Sequence, residues 1–324
     1  MPARWLTWIC LCVAFALCVP ASGSVEVTSP LPFSGDIQLD AEQATSLDWR
    51  ASKSAELRLI PPKNAPDLTC IKSRGVLVIG MINRDMPPFI MRDKDGNLSG
   101  IDVEIAREMA RELGVKVAFN RSANTFDDVV EMVANRQADL GVSKISLTLL
   151  RAEKVRFTNP YVPLNKAILI NRLALEEVRT NPEASLEDLL NRPSSQIGVE
   201  AGSSYVEYAK RIFPKATLVE FESWDRDIAP KVLNGELLAG FRDEWGVRET
   251  MFAAPQSYFE NLSIVIKDET DPLMIITPWN SLQLLAWVNR FLEIKKINFS
   301  TDDLMKRYQE IKTTEKPKNS KGLK

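Results

Sequence analysis

The feature that most constrains this chain is an alternation of short apolar strands and amphipathic helices. It runs once through residues 76–145 and then starts again. Val76 to Ile79 is a short run of apolar, β-branched character. Ile105, Met109 and Leu113 then recur at the spacing of one helix face, with Asp102 placed to cap the start and Gly114 to end it. Val115, Val117 and Phe119 alternate as in a strand. Phe126, Val129, Val130 and Val133 mark a second helix, and Leu140, Val142 and Ile145 a third strand. A β-α-β-α-β order calls for a mostly parallel sheet with helices on both faces.

The order then restarts. Gln196 to Val199, Leu218 to Phe221 and Leu238 to Phe241 read as strands, with helices at Ser203 to Phe213 and Ala229 to Leu233. The extended segments Ala167 to Asn171 and Ser263 to Lys267 flank this second unit and are placed to cross between lobes. A last helix, Ser281 to Ile294, carries Leu284, Leu285, Val288, Phe291 and Leu292 and should return to the first lobe. The expected organisation is therefore an α/β chain of two lobes. Lobe 1 takes residues 68–164 and 264–312, and lobe 2 takes residues 165–263.

The ends of the chain read differently. Arg4 precedes an apolar run from Leu6 to Val19, about 14 residues, which is short of the roughly 20 a membrane span needs. Pro20, Ala21, Ser22 and Gly23 then offer small residues, so residues 1–23 read as an export signal cut after Gly23. Residues 24–67 hold Pro30, Pro32, Pro61, Pro62 and Pro66 without sustained periodicity, and are expected to be a disordered linker. The lysine-rich residues 313–324 are expected to be a disordered tail. The mature protein is thus expected outside the cytoplasm.

Composition removes whole classes of chemistry. There is no histidine, which excludes His-based triads, His general bases and the commonest zinc sites. Of four cysteines, Cys10, Cys12 and Cys18 lie in the signal, and Leu17 before Cys18 argues against lipidation. Cys70 is the remaining one, so no internal disulfide is available. It reads as a small apolar residue ahead of the first strand, or alternatively as a link to a partner chain. With 41 Lys and Arg against 43 Asp and Glu, nothing resembles the basic stripe of a nucleic-acid binder. No cofactor is expected.

The stretch from Asp139 to Tyr161 is the most informative for function. Thr148 can cap a short helix from Leu149, which puts Arg151 in its first turn, at the carboxyl edge of a strand where α/β sheets bind ligands. The arginine fork matches a carboxylate, and a cation at a helix start opposes the dipole, which suggests an anion held there. The alternative is a surface arginine paired with Glu153 or Asp139. In the second unit, Glu200-Ala-Gly-Ser-Ser204 joins a strand to a helix. Gly202 there allows close backbone approach, and Ser203 or Ser204 can cap. It lacks the lysine of a phosphate-binding loop. Asp243, after the strand Leu238 to Phe241, either holds an ammonium group or caps the next turn.

In this order, these segments resemble the family 3 solute-binding proteins, the polar amino-acid receptors of bacterial ABC importers. The resemblance rests on Pro87-Pro-Phe89, Gly96-Asn-Leu-Ser-Gly-Ile-Asp-Val-Glu104, Ser146-Leu-Thr-Leu-Leu-Arg151, Phe157-Thr-Asn-Pro-Tyr161, Gly202-Ser203 and the late strand ending in Asp243. It covers about Ile71 to Ile311.

The resemblance implies two Rossmann-like lobes joined by two crossover strands, the type II periplasmic-binding-protein or Venus-flytrap fold. It implies a monomer that clamps a small carboxylated ligand, an amino acid, for a membrane permease and performs no chemistry. Arg151 would hold the ligand carboxylate with Ser146 and Ser203, Asp243 the ammonium, and Phe126 the apolar part. Asn83 and Met86 would touch the side chain. Lys144 and Glu200 are charges in the cleft where the family favours small or neutral residues. With Asp243, they either pair among themselves or read the ligand. The competing readings are an enzyme resembling cyclohexadienyl dehydratases, with Glu200 as acid and Lys144 orienting substrate, and the sensor domain of a signalling system.

Overall fold

The computed structural model describes residues 37–39, 67–93 and 95–315. The expected signal, most of the expected linker and the end of the expected tail lie outside the described residues. Eleven strands follow in chain order: β1 Ile37–Leu39, β2 Val76–Ile82, β3 Met91–Arg92, β4 Leu98–Ser99, β5 Lys116–Ala123, β6 Leu140–Ser146, β7 Val155–Asn171, β8 Gln196–Glu200, β9 Thr217–Phe221, β10 Ala239–Asp243 and β11 Asn261–Pro278. Nine form one sheet in the order β1-β5-β2-β6-β11-β7-β10-β8-β9, and β3 pairs with β4 in a small hairpin.

This sheet is two parallel sheets sharing a pair of long strands. In lobe 1, β2 pairs in parallel with β5 and β6. In lobe 2, β8 pairs in parallel with β9 and β10. The antiparallel pair β7 and β11 runs through both. The two α/β lobes and their crossover strands are as the sequence implied.

The crossovers are much longer than the segments that marked them. Pro160 and Pro163 interrupt the apolar run of β7, and Pro272 that of β11. Proline cannot donate to a ladder, so such a run does not read as strand from sequence. Pro163 and Pro272 face each other directly. The change of lobe on β7 falls at Asn165 and Lys166. On β11 the register jumps between Ile266, opposite Lys166, and Thr270, opposite Asn165. That puts three residues, Lys267 to Glu269, against none. The β11 switch therefore lies several residues beyond the expected boundary at 263/264.

Each lobe has its own core. In lobe 1 Leu77, Ile79, Phe119, Leu140 and Val142 from the sheet meet Ile105, Met109 and Val129 from the flanking helices. In lobe 2 the alternation of β7 sorts Ile168 and Ile170 to one face and Ala167 and Leu169 to the other, each against its own helices. A strand buried on both faces is the expected result in a parallel sheet covered by helices.

Three local expectations are corrected. Asp102 does not cap the helix Ile101–Leu113, whose N-cap is Gly100. The aspartate instead lies buried in the first turn. Ile37–Leu39, within the expected linker, is a strand that pairs antiparallel with β5 at the sheet edge. Cys70 lies ahead of β2, as expected, in the helix Asp67–Arg74, half-buried and free. Beyond the expected helix, observed at Leu282–Ile294, a further helix runs from Thr301 to Glu315, into the expected tail. Its Leu304 and Tyr308 are buried in the lobe 1 core. Among the described residues, no helix is long and apolar enough to cross a membrane.

Candidate functional site

The carboxyl ends of β2 and β6 in lobe 1 face those of β8 and β10 in lobe 2, and the side chains there meet across the cleft. The local geometry on the lobe 1 side is set by Lys144. It sits within β6 at φ +53°, a left-handed conformation that non-glycine residues adopt only when their surroundings impose it. The surroundings here are Asp102. One of its oxygens accepts the Lys144 N–H at 2.9 Å, and the other accepts the Tyr161 hydroxyl at 2.8 Å. Burial pushes the Asp102 carboxyl up to about 7, against the lowering effect of those two hydrogen bonds.

So held, Lys144 reaches across the cleft. Its Nζ lies 2.6 Å from Asp243 Oδ2, with both side chains buried. Asp243 also caps the helix Glu244–Ala253 by accepting from the Gly246 N–H at 2.9 Å. Burial alone would raise its pKa. The charges of Lys144 and Arg242, with hydrogen bonds from Lys144 and Tyr205, instead hold it far below the usual carboxylate range.

The Tyr205 hydroxyl lies 2.7 Å from Asp243 Oδ2 and 3.0 Å from Asp271 Oδ2. One hydrogen cannot serve two carboxylates. Burial raises the pKa of Asp271, against the lowering charge of Lys166, whose Nζ lies 3.9 Å from Asp271 Oδ1.

A second ion pair crosses the cleft beside the first. Arg84, at the end of β2, pairs with Glu200 at the end of β8, and its guanidinium carbon lies 5.2 Å from the Phe126 ring centre. The other oxygen of Glu200 is buried and has no hydrogen-bond partner among the described residues. Backbone contact closes the same edge. The Asp127 N–H donates to Gly202 O at 3.1 Å, and the Tyr208 hydroxyl donates to Leu147 O.

Arg151 is buried, not exposed. Thr148 caps its helix, Leu149–Ala152, as the sequence implied. That helix is a single turn, so the dipole argument carries little weight. The guanidinium is held by the Ser146 carbonyl, at 3.0 Å from Nη1, and by Asp127, at 2.9 Å from Nε. Neither Glu153 nor Asp139 is its partner. Asp139 pairs with Arg74 instead. Among the described residues, no group of three His, Cys, Asp or Glu side chains is placed to hold a metal ion.

The model of the bacterial extracellular solute-binding proteins, family 3, matches residues 77–311. The chain belongs to this family. The ancestral amino acid-binding protein AncCDT-1, a precursor of cyclohexadienyl dehydratase, superposes on this family 3 protein with a TM-score of 0.59 at 28% identity. The match covers 75% of this chain and 99% of that one. A Wolinella succinogenes protein described as a binding component of an ABC transporter, complexed with lysine, gives a TM-score of 0.59 at 26% identity over 72% of this chain and 96% of its own. The arginine-binding periplasmic protein of Mannheimia haemolytica is 25% identical over 175 residues, 54% of this chain and 66% of that protein. The family 3 chain thus spans the solved structures almost end to end, but two thirds or less of the curated relatives it matches.

Of the residues expected in the site of this family 3 protein, Arg151, Ser146, Phe126, Lys144, Ser203, Glu200 and Asp243 lie at the facing edges of the lobes. Ser203 caps the helix Ser204–Ile212, and its hydroxyl donates to Glu200 O at 2.5 Å. Lys144 and Glu200 do not pair with each other. Each takes a different partner. Asn83 is exposed, and its backbone N–H donates to Ala123 O at 2.7 Å. Met86 is buried in the lobe 1 core and bridges to Ile90. The side chain from that turn that does reach lobe 2 is Arg84, which sequence reasoning passed over. A charged residue between two expected contacts was the available signal.

Proposed function

We propose that this protein is a periplasmic receptor that captures a small carboxylated solute, an amino acid or a relative of one, between its lobes and delivers it to a membrane permease. In this reading the chain is exported by cleavage after Gly23, acts as a monomer and needs no cofactor. The observation that carries the reading is Arg151. Its guanidinium is fixed at the cleft edge by a backbone carbonyl and, among the described residues, its ion-pair partner is Asp127, whose side chain is 55% exposed. A ligand carboxylate can take over that ion pair and return Asp127 to water.

The likeness to amino acid-binding proteins supports the ligand class, and the two long crossover strands supply the hinge that capture needs. An enzyme of the dehydratase kind would use Glu200 and Lys144 together on one substrate. Here each is bonded to a different residue of the opposite lobe, which favours capture over turnover. The test is calorimetric titration with a panel of amino acids, hydroxy acids and dicarboxylates, followed by recovery of the ligand. One member should bind and be recovered unchanged. Recovery of a dehydrated product would replace the receptor by an enzyme.

A further inference from the structure

The two buried carboxylates that end β8 and β10 are already matched by cations of the opposite lobe. Lys144 Nζ is 2.6 Å from Asp243 Oδ2, with side-chain exposures of 3% and 0%, and Arg84 pairs with Glu200 over the Phe126 ring. A ligand ammonium seeking Asp243 would compete with one tethered to the protein at high effective concentration. Success would leave Lys144 a buried cation without its partner, which is strongly unfavourable. The asymmetry with Arg151 is sharp. Its partner Asp127 is more than half exposed, so displacing that carboxylate costs little. Among the described residues, Arg151 is thus the cleft cation whose partner leaves most cheaply, and neither Asp243 nor Glu200 is a comparably exchangeable anion. It also has a buried acceptor, Glu200 Oε2, without a hydrogen-bond partner among the described residues. Because Arg84 already neutralises that carboxylate, a neutral donor such as a hydroxyl suits it.

We propose that the cleft selects small carboxylic acids that carry no ammonium group, with Arg151 taking the carboxylate and Lys144 standing where a ligand ammonium would otherwise bind. The inference rests on the solute-capture reading above and narrows its ligand class. Its charge balance agrees with the state of Asp243. Burial opposes ionisation there, yet the adjacent Lys144 and Arg242 keep the carboxyl ionised, so a full negative charge is already matched.

The test uses pairs of acids that differ only in a hydroxyl or an ammonium on the same carbon: lactate and alanine, malate and aspartate, 2-hydroxyglutarate and glutamate, phenyllactate and phenylalanine. Each is titrated calorimetrically into the wild type, Lys144→Met, and the double variant Lys144→Met/Asp243→Asn. The wild type should bind at least one hydroxy acid about tenfold or more tighter than its amino partner. Lys144→Met exposes Asp243 and should move that ratio about tenfold or more toward the amino acid. The double variant should lose this gain. It removes the Lys144–Asp243 pair whole but leaves Arg242 beside a neutral amide, so the wild-type ratio decides the inference whether or not either variant folds. A wild type that binds the amino member as tightly as the hydroxy member, or more tightly, overturns the inference and leaves solute capture intact. Failure of all three proteins to bind any member overturns solute capture and the inference with it.

Discussion

At the scale of single residues, Arg151 decides whether the cleft binds anything. Its fork is pre-set by the Ser146 carbonyl and Asp127. Removing it should cost roughly 2–5 kcal/mol of binding, as for other truncated buried charge pairs. Arg151→Ala should still fold, because the one carboxylate it strands is half in water. Arg151→Lys should recover only part of the loss, since a point charge cannot donate two parallel hydrogen bonds. Calorimetry with the tightest acid of the panel reads both variants, and unchanged affinity in Arg151→Ala would remove it from the site. The motif around Arg151 was legible because it is contiguous. Its surroundings were not. Lys144 and Asp243 are 99 positions apart, and Arg84 and Glu200 are 116 apart. No local period reveals such pairs, and the pairing of Arg84 across the cleft is therefore not legible in the sequence, whereas its neighbours Asn83 and Met86 follow from the family pattern.

At the scale of elements, the Gly202 turn is where lobe 2 touches the start of the helix Phe126–Ala134. Gly202 has φ +64°, and a Cβ there would lie 2.7 Å from the Thr125 Cβ across the cleft. Gly202→Val should therefore do two things. Its left-handed backbone should cost about 1 kcal/mol or more of stability. Its side chain should also hold the lobes apart. Small-angle scattering should show a larger radius of gyration than wild type, and acid binding should weaken. A particle of unchanged size would mean that the turn yields instead of the lobes. Sequence period located the parallel strands and their helices, because apolar alternation and four-residue spacing are local signals. It missed the helix Thr301–Glu315, where only a few apolar residues interrupt a run of charges. It also missed most of β7 and β11, whose prolines break the pattern that marks a strand.

At the scale of the whole molecule, buried carboxyls set how stability responds to pH. Burial pushes Asp102 in lobe 1 and Glu249 in lobe 2 up to about 7. In the unfolded chain such groups titrate near 4. Between about pH 4 and 7 the folded state thus binds protons that the unfolded state has released, so stability falls as pH rises through that window. Asp243 acts oppositely. Its carboxyl is held low, so its contribution is present at neutral pH and is lost as pH falls below about 4. Urea denaturation should give a higher midpoint at pH 5 than at pH 8, and Asp102→Asn should reduce the difference. A midpoint that rises toward pH 8 would contradict the assignment of both groups.

The unequal crossovers also dictate how the lobes can part. β7 passes from one lobe to the other between adjacent residues, Asn165 and Lys166, while β11 spends three extra residues, Lys267 to Glu269, on the same passage. One strap is taut and the other has slack. If the shorter strap resists lengthening, the lobes should part about an axis near Asn165, with the bulged residues of β11 taking up the difference in length. Opening is then a swivel about one pin, with a twist, in place of a symmetric hinge. On that geometry residues near the pin should move least, and the contact of the Gly202 turn with Asp127 should break on opening.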